Sequence, residues 1–241
     1  MDKIKSWDEY EIKARYIPTF LSVIPIVHFL ILFVGMGFWK ELISNISWML
    51  VIANLSFSLI VMLAITQFQS SLGKIWIEES IFGKGGDKFP TTNMLLYNEG
   101  LISKGRKELL RTKISDKSGC VFSSEKEEKS NPENARLQAR EAVGHVRSMV
   151  GHGIKTIHYN IRYGFFRNLI AGAAWSGIGS LGCSILYYFC GNWEPMGFFI
   201  VYFAAFIALF IFKKAILERL AFNYADTLAL FQQRYENSHR I

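Results

Sequence analysis

The sequence predicts an all-α, polytopic membrane protein with four transmembrane helices and helical cytosolic extensions. The first observation is composition: of 241 residues, 51% are apolar and 15% are aromatic, yet 20% are charged and the net charge is +7. The mean hydropathy is +0.20. Apolar and charged residues are segregated along the chain, which argues against a soluble enzyme, a disordered chain and a disulfide scaffold.

The second observation is that four uncharged apolar stretches are long enough for a hydrocarbon core about 30 Å thick, which needs about 20 helical residues. The predicted spans cover residues 18–39, 46–68, 169–190 and 195–212. The fourth is the shortest, and Lys213 and Lys214 follow it with side chains that can reach the interface. We therefore expect two membrane hairpins, over 18–68 and 168–213.

Lysine and arginine predict the orientation of these spans. Residues 67–168 carry seventeen of them, and the C-terminal segment from Lys213 onward carries five. The linker between the last two spans carries none, and that between the first two carries only Lys40. The arm over 1–17, the central domain over 69–167 and the tail over 214–241 are therefore expected on the cytosolic side.

The third observation is helical periodicity outside the spans. An apolar stripe from Ala139 to Ile161 recurs at steps of three and four, and a second runs from Leu217 to Tyr235. We expect two helices packed along these stripes, with Gly151 and Gly153 as a kink in the first. Short helices are expected over 93–100 and 104–113, and a flexible surface loop over 115–132.

Two features are candidates for binding an anion. The loop Gly83-Lys84-Gly85-Gly86-Asp87 precedes a plausible helix start at Pro90, and such loops either cradle anions or form tight turns. The second is a basic ridge beside the first stripe, formed by Arg136, Arg140, Arg147, Lys155, His158 and Arg162. This ridge either binds acidic lipid, nucleic acid or an anionic signal, or is a solvated face. The candidate residues are Lys84, Gly85, Gly86, Thr91, Thr92, Arg136, Arg140, Arg147, Arg162 and Arg167.

The third predicted span carries small residues at every fourth position: Gly172, Ser176, Ser180 and Ser184. Such a face allows close helix packing, within one chain or between subunits, or lines a pore. His28 lies in the first span, where it is either functional or hydrogen-bonded to a backbone carbonyl freed by Pro25. The three cysteines form no CxxC pair and are expected as reduced core thiols.

Two segments also carry a family resemblance. LGK followed by GGDKFPTTNMLL, and NIRYGFFRNL far downstream, resemble a widespread bacterial inner-membrane family with GGxPTTxxLR-like and ExxxYGFRRNL-like segments after an N-terminal membrane hairpin. The resemblance covers residues 71–169, and the chain departs from the pattern at Asp87-Lys88, Tyr97 and Phe166. It implies a bacterial inner-membrane location but no assigned activity. A looser resemblance, at the level of fold alone, is to membrane effectors of bacterial antiphage systems.

The sequence therefore predicts a non-enzymatic membrane protein without metal or cofactor. Its cytosolic domain is expected to sense a cytosolic protein or nucleotide signal, and its membrane bundle to respond by assembling with other copies among the lipids and permeabilising the membrane. One alternative is a channel or transporter subunit, with His28, Asn54 and Gln67 as intramembrane polar candidates. Others are a membrane scaffold and, as the weakest, a lipid-acting enzyme using the loop over 83–92.

Overall fold

A computed structural model describes residues 9–34, 48–150 and 153–237. The chain is 86% helical and has no strand among these residues, which confirms the all-α class. The longer helices are α1 (Ile17–Val34), α2 (Trp48–Leu72), α3 (Lys104–Ser118), α4 (Pro132–Val150), α5 (Ile154–Ala171), α6 (Ala173–Phe189), α7 (Trp193–Ile211) and α8 (Lys213–Asn237). The shorter ones are Glu79–Phe82, Pro90–Asn93 and Glu125–Ser130, with π-helical turns at Ile12–Tyr16 and Gly73–Glu78 and a 3₁₀ turn at Lys84–Gly86.

Three helices are long and apolar enough to cross a membrane: Glu9–Phe33, Leu59–Phe82 and Trp193–Ile211. A fourth candidate is the pair formed by α5 and α6, which are bent by 50° relative to each other. The break lies at Gly172, inside the stretch that the sequence predicts as one uninterrupted span. The ends of the first two predicted spans, at residues 35–39 and 46–47, lie outside the described residues.

The chain divides into two compact units. We call residues 11–77 and 164–214 the apolar unit, and the remainder, which includes residues 78–163 and 215–237, the polar unit. The chain passes between them at four points, and each passage falls between two helical residues.

In the apolar unit, α6 packs against both α1 and α7. Glycines permit the close approach to α1: a Cβ atom on Gly179 would lie 2.6 Å from the Cα atom of Ile26 and 2.6 Å from the carbonyl carbon of Pro25. Pro25 cannot donate to the carbonyl of Leu21, and the Tyr202 hydroxyl of α7 donates to that carbonyl at 2.5 Å instead. Backbone contact therefore joins α6 to α1, and a hydrogen bond to the carbonyl that Pro25 leaves without a backbone donor joins α7 to α1.

In the polar unit, the core forms between α3, α4, α8 and the segment after Pro90. Both predicted stripes contribute to it: Ala139, Val143 and Val146 from α4 pack with Leu228 from α8. The first stripe fails at Ile154, which is 87% exposed, because α4 ends at Val150 and α5 begins anew at Ile154. Gly151 lies outside the described residues.

Two local predictions differ from the structure. Of the segment predicted as a helix over 93–100, only Asn93 is helical, as the last residue of the helix Pro90–Asn93, and turns follow. The segment 115–132, predicted as a flexible loop, contains the last turn of α3 and the helix Glu125–Ser130. That helix begins with a capping box, in which the Ser124 hydroxyl accepts from the Glu127 amide and the Glu127 carboxylate accepts from the Ser124 amide. This second bond lowers the pKa of the Glu127 carboxyl.

Candidate functional site

The glycine-rich loop is a tight turn that uses its own amides. Gly83, Gly85 and Gly86 have φ values of +76°, +65° and +75°, which glycine adopts without strain. The Gly86 amide donates to the Gly83 carbonyl at 3.1 Å, and the Lys88 amide donates to the Phe82 carbonyl at 2.8 Å. These amides are therefore directed into the turn rather than toward an external anion.

Two arginines of the predicted basic ridge hold this loop in place. Arg136 donates to the Asp87 carbonyl at 3.2 Å and to the Glu99 carboxylate at 2.8 Å. Arg140 donates to the Asp87 carboxylate at 3.0 Å. The two guanidinium groups thus have acceptors within the polar unit, and the binding of an external anion by this ridge stays a prediction.

The remaining anion-binding candidates differ in burial and in the unit to which they belong. Thr91 and Thr92 are buried in the polar unit, whereas Lys84 is exposed. Arg147 lies over the Tyr224 ring at 5.9 Å, and burial raises the pKa of the Tyr224 hydroxyl although Arg147 opposes the shift. Arg162 is exposed in the polar unit, and Arg167 is buried in the apolar unit.

A buried charged cluster in the polar unit was not anticipated from the sequence. Lys107 is only 2% exposed. Its ammonium group donates to the backbone carbonyl of Leu96 at 2.5 Å and to that of Glu99. The neighbouring Arg111 donates to the Leu95 carbonyl at 2.9 Å. Burial lowers the pKa of Lys107. Its side chain lies on the buried face of α3 together with those of Leu110 and Ile114. These residues follow one another at steps of three and four, and this helical spacing is the signal in the sequence that Lys107 is buried.

A buried carboxylate completes this cluster. Glu128 is 2% exposed and accepts from the backbone amides of Tyr97, at 3.0 Å, and Asn98, at 2.8 Å. The Arg111 guanidinium lies 3.5 Å from the Glu128 carboxylate and 4.2 Å from the centroid of the Tyr97 ring. The cluster fixes the turns over residues 94–101 by pairing their backbone groups, and its charges are compensated there.

The small-residue face of α6 is buried inside a single chain. Gly172 lies against the side chains of Ser22 and Gln69, and Ser176 and Ser180 are fully buried. Ser184 is 8% exposed and donates to the Ser180 carbonyl at 2.8 Å. This face therefore takes part in packing within the chain, while its packing between subunits and its lining of a pore stay predictions.

His28 has a different partner from the carbonyl that the sequence suggests. Its Nε2 atom lies 2.8 Å from the Tyr187 hydroxyl. The imidazole also stacks on Phe199, with ring centroids 5.1 Å apart. Of the other intramembrane candidates, Gln67 is exposed and the side chain of Asn54 lies outside the described part of the chain.

A polar network in the apolar unit joins α1, α2 and α5. The Ser22 hydroxyl donates to the side-chain oxygen of Gln69 at 3.1 Å. The side-chain NH₂ group of Gln69 donates to the backbone carbonyl of Asn168 at 2.6 Å. The side-chain NH₂ group of Asn168 in turn donates to the backbone carbonyl of Ala14 at 2.6 Å. All three side chains are fully buried. Single polar residues in apolar stretches were the only signal for this network in the sequence.

No group of three or more histidine, cysteine, aspartate or glutamate side chains is arranged for a metal ion within residues 9–34, 48–150 and 153–237. Comparison with known proteins adds no family: no family model, curated protein or solved structure matches the chain. The site must therefore be interpreted from its own chemistry.

Proposed function

We propose that the chain is an integral protein of the bacterial inner membrane whose apolar unit spans the bilayer and whose polar unit lies in the cytosol. The distribution of cations carries this proposal. Every lysine and arginine described in the apolar unit lies within five residues of the polar unit along the chain. They are Lys13, Arg15, Lys74, Arg167, Lys213 and Lys214.

This distribution fits a bilayer because charged side chains are costly in hydrocarbon and basic residues favour the cytosolic interface. The surface of the apolar unit supports the same interpretation. Large apolar side chains are exposed on each of its long helices, among them Phe33 at 70%, Phe189 at 79% and Val201 at 69%. Lipid is the environment that suits such a surface.

In this proposal the polar unit senses a cytosolic protein or nucleotide signal, and the apolar unit responds by changing the permeability of the membrane. The four passages support such coupling, because each lies within a helical segment that transmits displacement along its axis. A defensive role against phage rests on the looser resemblance alone. Assembly of several copies belongs to the same proposal, and a non-enzymatic role remains a prediction.

The experiment is a membrane-potential measurement with a voltage-sensitive dye in bacteria that express the chain, with and without its genomic neighbours, under phage challenge. We expect depolarisation that requires both the chain and the challenge. A steady potential under every condition, with the protein present in the membrane fraction, would contradict the permeability response and favour the alternative of a membrane scaffold.

A further inference from the structure

The break between α5 and α6 is enclosed by polar side chains from two other helices. Gly172 has a ψ of −4°, whereas α-helical residues have a ψ of about −42°, and the two helices are bent by 50° relative to each other. A Cβ atom on Gly172 would collide with the Ser22 side chain of α1 and would lie 2.7 Å from the Nε2 atom of Gln69 of α2. Both side chains therefore lie directly against the backbone of the bend.

Hydrogen bonds fix the last turn of α5 to these helices. The Asn168 carbonyl accepts from the Gly172 amide at 3.0 Å and from the side-chain NH₂ group of Gln69 at 2.6 Å. The Gln69 side-chain oxygen accepts from the Ser22 hydroxyl, and the side-chain NH₂ group of Asn168 donates to the Ala14 carbonyl. We call Ser22, Gln69 and Asn168, which are all 0% exposed, the clamp. All three belong to the apolar unit.

The clamp contacts two π-helical turns. Ala14 belongs to the turn Ile12–Tyr16, and Gly73 begins the turn Gly73–Glu78. A Cβ atom on Gly73 would lie 3.0 Å from the side-chain oxygen of Asn168, so Asn168 contacts both turns. Because π-helical turns are rare in proteins and frequent at functional sites, this position favours a functional role for the clamp over packing alone.

The hydrogen bonds of the clamp hold α5 by a small margin. The side-chain oxygen of Asn168 is buried and accepts no hydrogen bond from any residue that the structure describes. An unpaired buried acceptor destabilises the arrangement that contains it. A shift of about 1 Å is enough to lengthen the bonds of 2.6 Å beyond hydrogen-bonding distance. Helix shifts of about 1–2 Å are typical of allosteric transitions, so such a shift is sufficient to release the clamp.

The helix α5 connects the clamp to the polar unit. It is unbroken over Ile154–Ala171, and it passes from the polar unit to the apolar unit between Tyr163 and Gly164. Asn168 lies in its last turn, four residues before Gly172. A displacement of α5 along its axis is therefore either resisted by the clamp or breaks its hydrogen bonds.

We propose that the clamp holds the apolar unit in its resting state, and that its release at the Gly172 bend is the step by which a cue on the polar unit changes the permeability of the membrane. In the released state the last turn of α5 moves away from α1 and α2, and the hydrogen bonds of Gln69 are broken. This proposal rests on the proposed function, because it assigns the residues that regulate the response of the apolar unit.

The first test is the membrane-potential measurement with the variant Gln69→Met in cells without phage challenge. Methionine has a similar length to glutamine but removes both hydrogen bonds of this side chain. Each bond changes the ratio of released to clamped chains by a factor of about five, so this ratio should rise about 25-fold. We expect depolarisation without challenge. Ser22→Ala, which removes one of the two bonds, should give a smaller effect.

Tyr202→Phe is the matched control. It removes a hydrogen bond of 2.5 Å from α7 to the Leu21 carbonyl of α1, in the same unit but outside the clamp. Cells with this variant should depolarise only after challenge, as cells with the unchanged chain do.

The second test does not depend on permeability. Amide hydrogen exchange of the purified full-length chain in detergent micelles measures local opening. The amides near Gly172 should exchange about 25-fold faster in Gln69→Met than in the unchanged chain, and Tyr202→Phe should leave them unaltered. We expect Gln69→Met to remain folded, because the Ser22 hydroxyl still donates to the Thr19 carbonyl at 2.9 Å.

Equal exchange near Gly172 in Gln69→Met and in the unchanged chain would overturn the proposal. Cells with Gln69→Met in their membrane fraction that stay polarised until challenge would overturn it as well. Should Gln69→Met not accumulate in the membrane, Ser22→Ala decides by the same two measurements. Faster exchange in the variant, combined with no depolarisation of the unchanged chain under challenge, would instead contradict the proposed function.

Discussion

Replacing Gly179 by alanine tests the contact that joins α1 to α6. The added Cβ atom would lie 2.6 Å from backbone atoms of Ile26 and Pro25, whereas ordinary contacts begin at 3.4 Å. The nearest backbone atom, the Ile26 nitrogen, is closer still, so the helices must separate by roughly 1 Å. Overpacking of this kind costs up to about 3 kcal/mol. Backbone cannot rotate away as a side chain can, so we expect the upper end of that range.

Gly177→Ala is the matched control on the same helix. A Cβ atom there would lie 3.7 Å from the Phe203 ring, which is ordinary contact, while the change in helix propensity is the same. The free energy of unfolding of Gly179→Ala is expected to be about 3 kcal/mol lower than that of Gly177→Ala. This corresponds to a factor of more than about 100 in the ratio of folded to unfolded protein.

The assay is unfolding of each purified variant in detergent micelles by increasing SDS, followed by tryptophan fluorescence. Gly179→Ala should unfold at a clearly lower SDS fraction than Gly177→Ala. Equal midpoints would refute the reasoning, because they would mean that α1 does not approach α6 through Gly179.

The remaining predictions concern the buried charged cluster. Lys107→Met should destabilise the polar unit by about 1–3 kcal/mol, because the carbonyls of Leu96 and Glu99 lose their buried donor; the exposed Lys126→Met is the control, and thermal unfolding of both is the measurement. Burial lowers the pKa of Lys107 in the folded chain below its usual 10.5. Between the pKa of the folded chain and that of the unfolded chain, the unfolded chain binds more protons, so the free energy of unfolding rises with pH. The difference in stability between the unchanged chain and Lys107→Met should therefore increase with pH in that window, and parallel pH profiles would contradict it.

Local rules in the sequence account for the helices but not for every boundary. Leu217, Leu220, Tyr224 and Leu228 are buried as their helical spacing predicts, because one face of α8 packs on one core. The capping box at Ser124 is equally local, yet the polar composition around it favoured a loop. The break at Gly172 was not predicted, because hydropathy continues through it unchanged and glycine occurs within many membrane helices.

The candidate sites were harder to predict, because they depend on residues distant in sequence. Arg136 follows a helical ridge, but its acceptors Asp87 and Glu99 come from an earlier segment. Charge alone gives no information about where those acceptors lie. The same holds for His28, whose partner Tyr187 is on another helix. Residue type indicated which side chains require a partner, and only the fold identified it.

The central claim is that the apolar unit crosses the membrane with the polar unit in the cytosol, and two native cysteines test it directly. Cys190 is exposed in the linker after α6, and Cys120 is half-buried in the polar unit, whereas Cys183 is buried. A membrane-impermeant maleimide is added to intact spheroplasts, with Cys190→Ser and Cys120→Ser variants to assign the label. The account predicts that Cys190 reacts in intact spheroplasts and that Cys120 reacts only after lysis. Labelling of Cys120 in intact spheroplasts, or of Cys190 only after lysis, would contradict it.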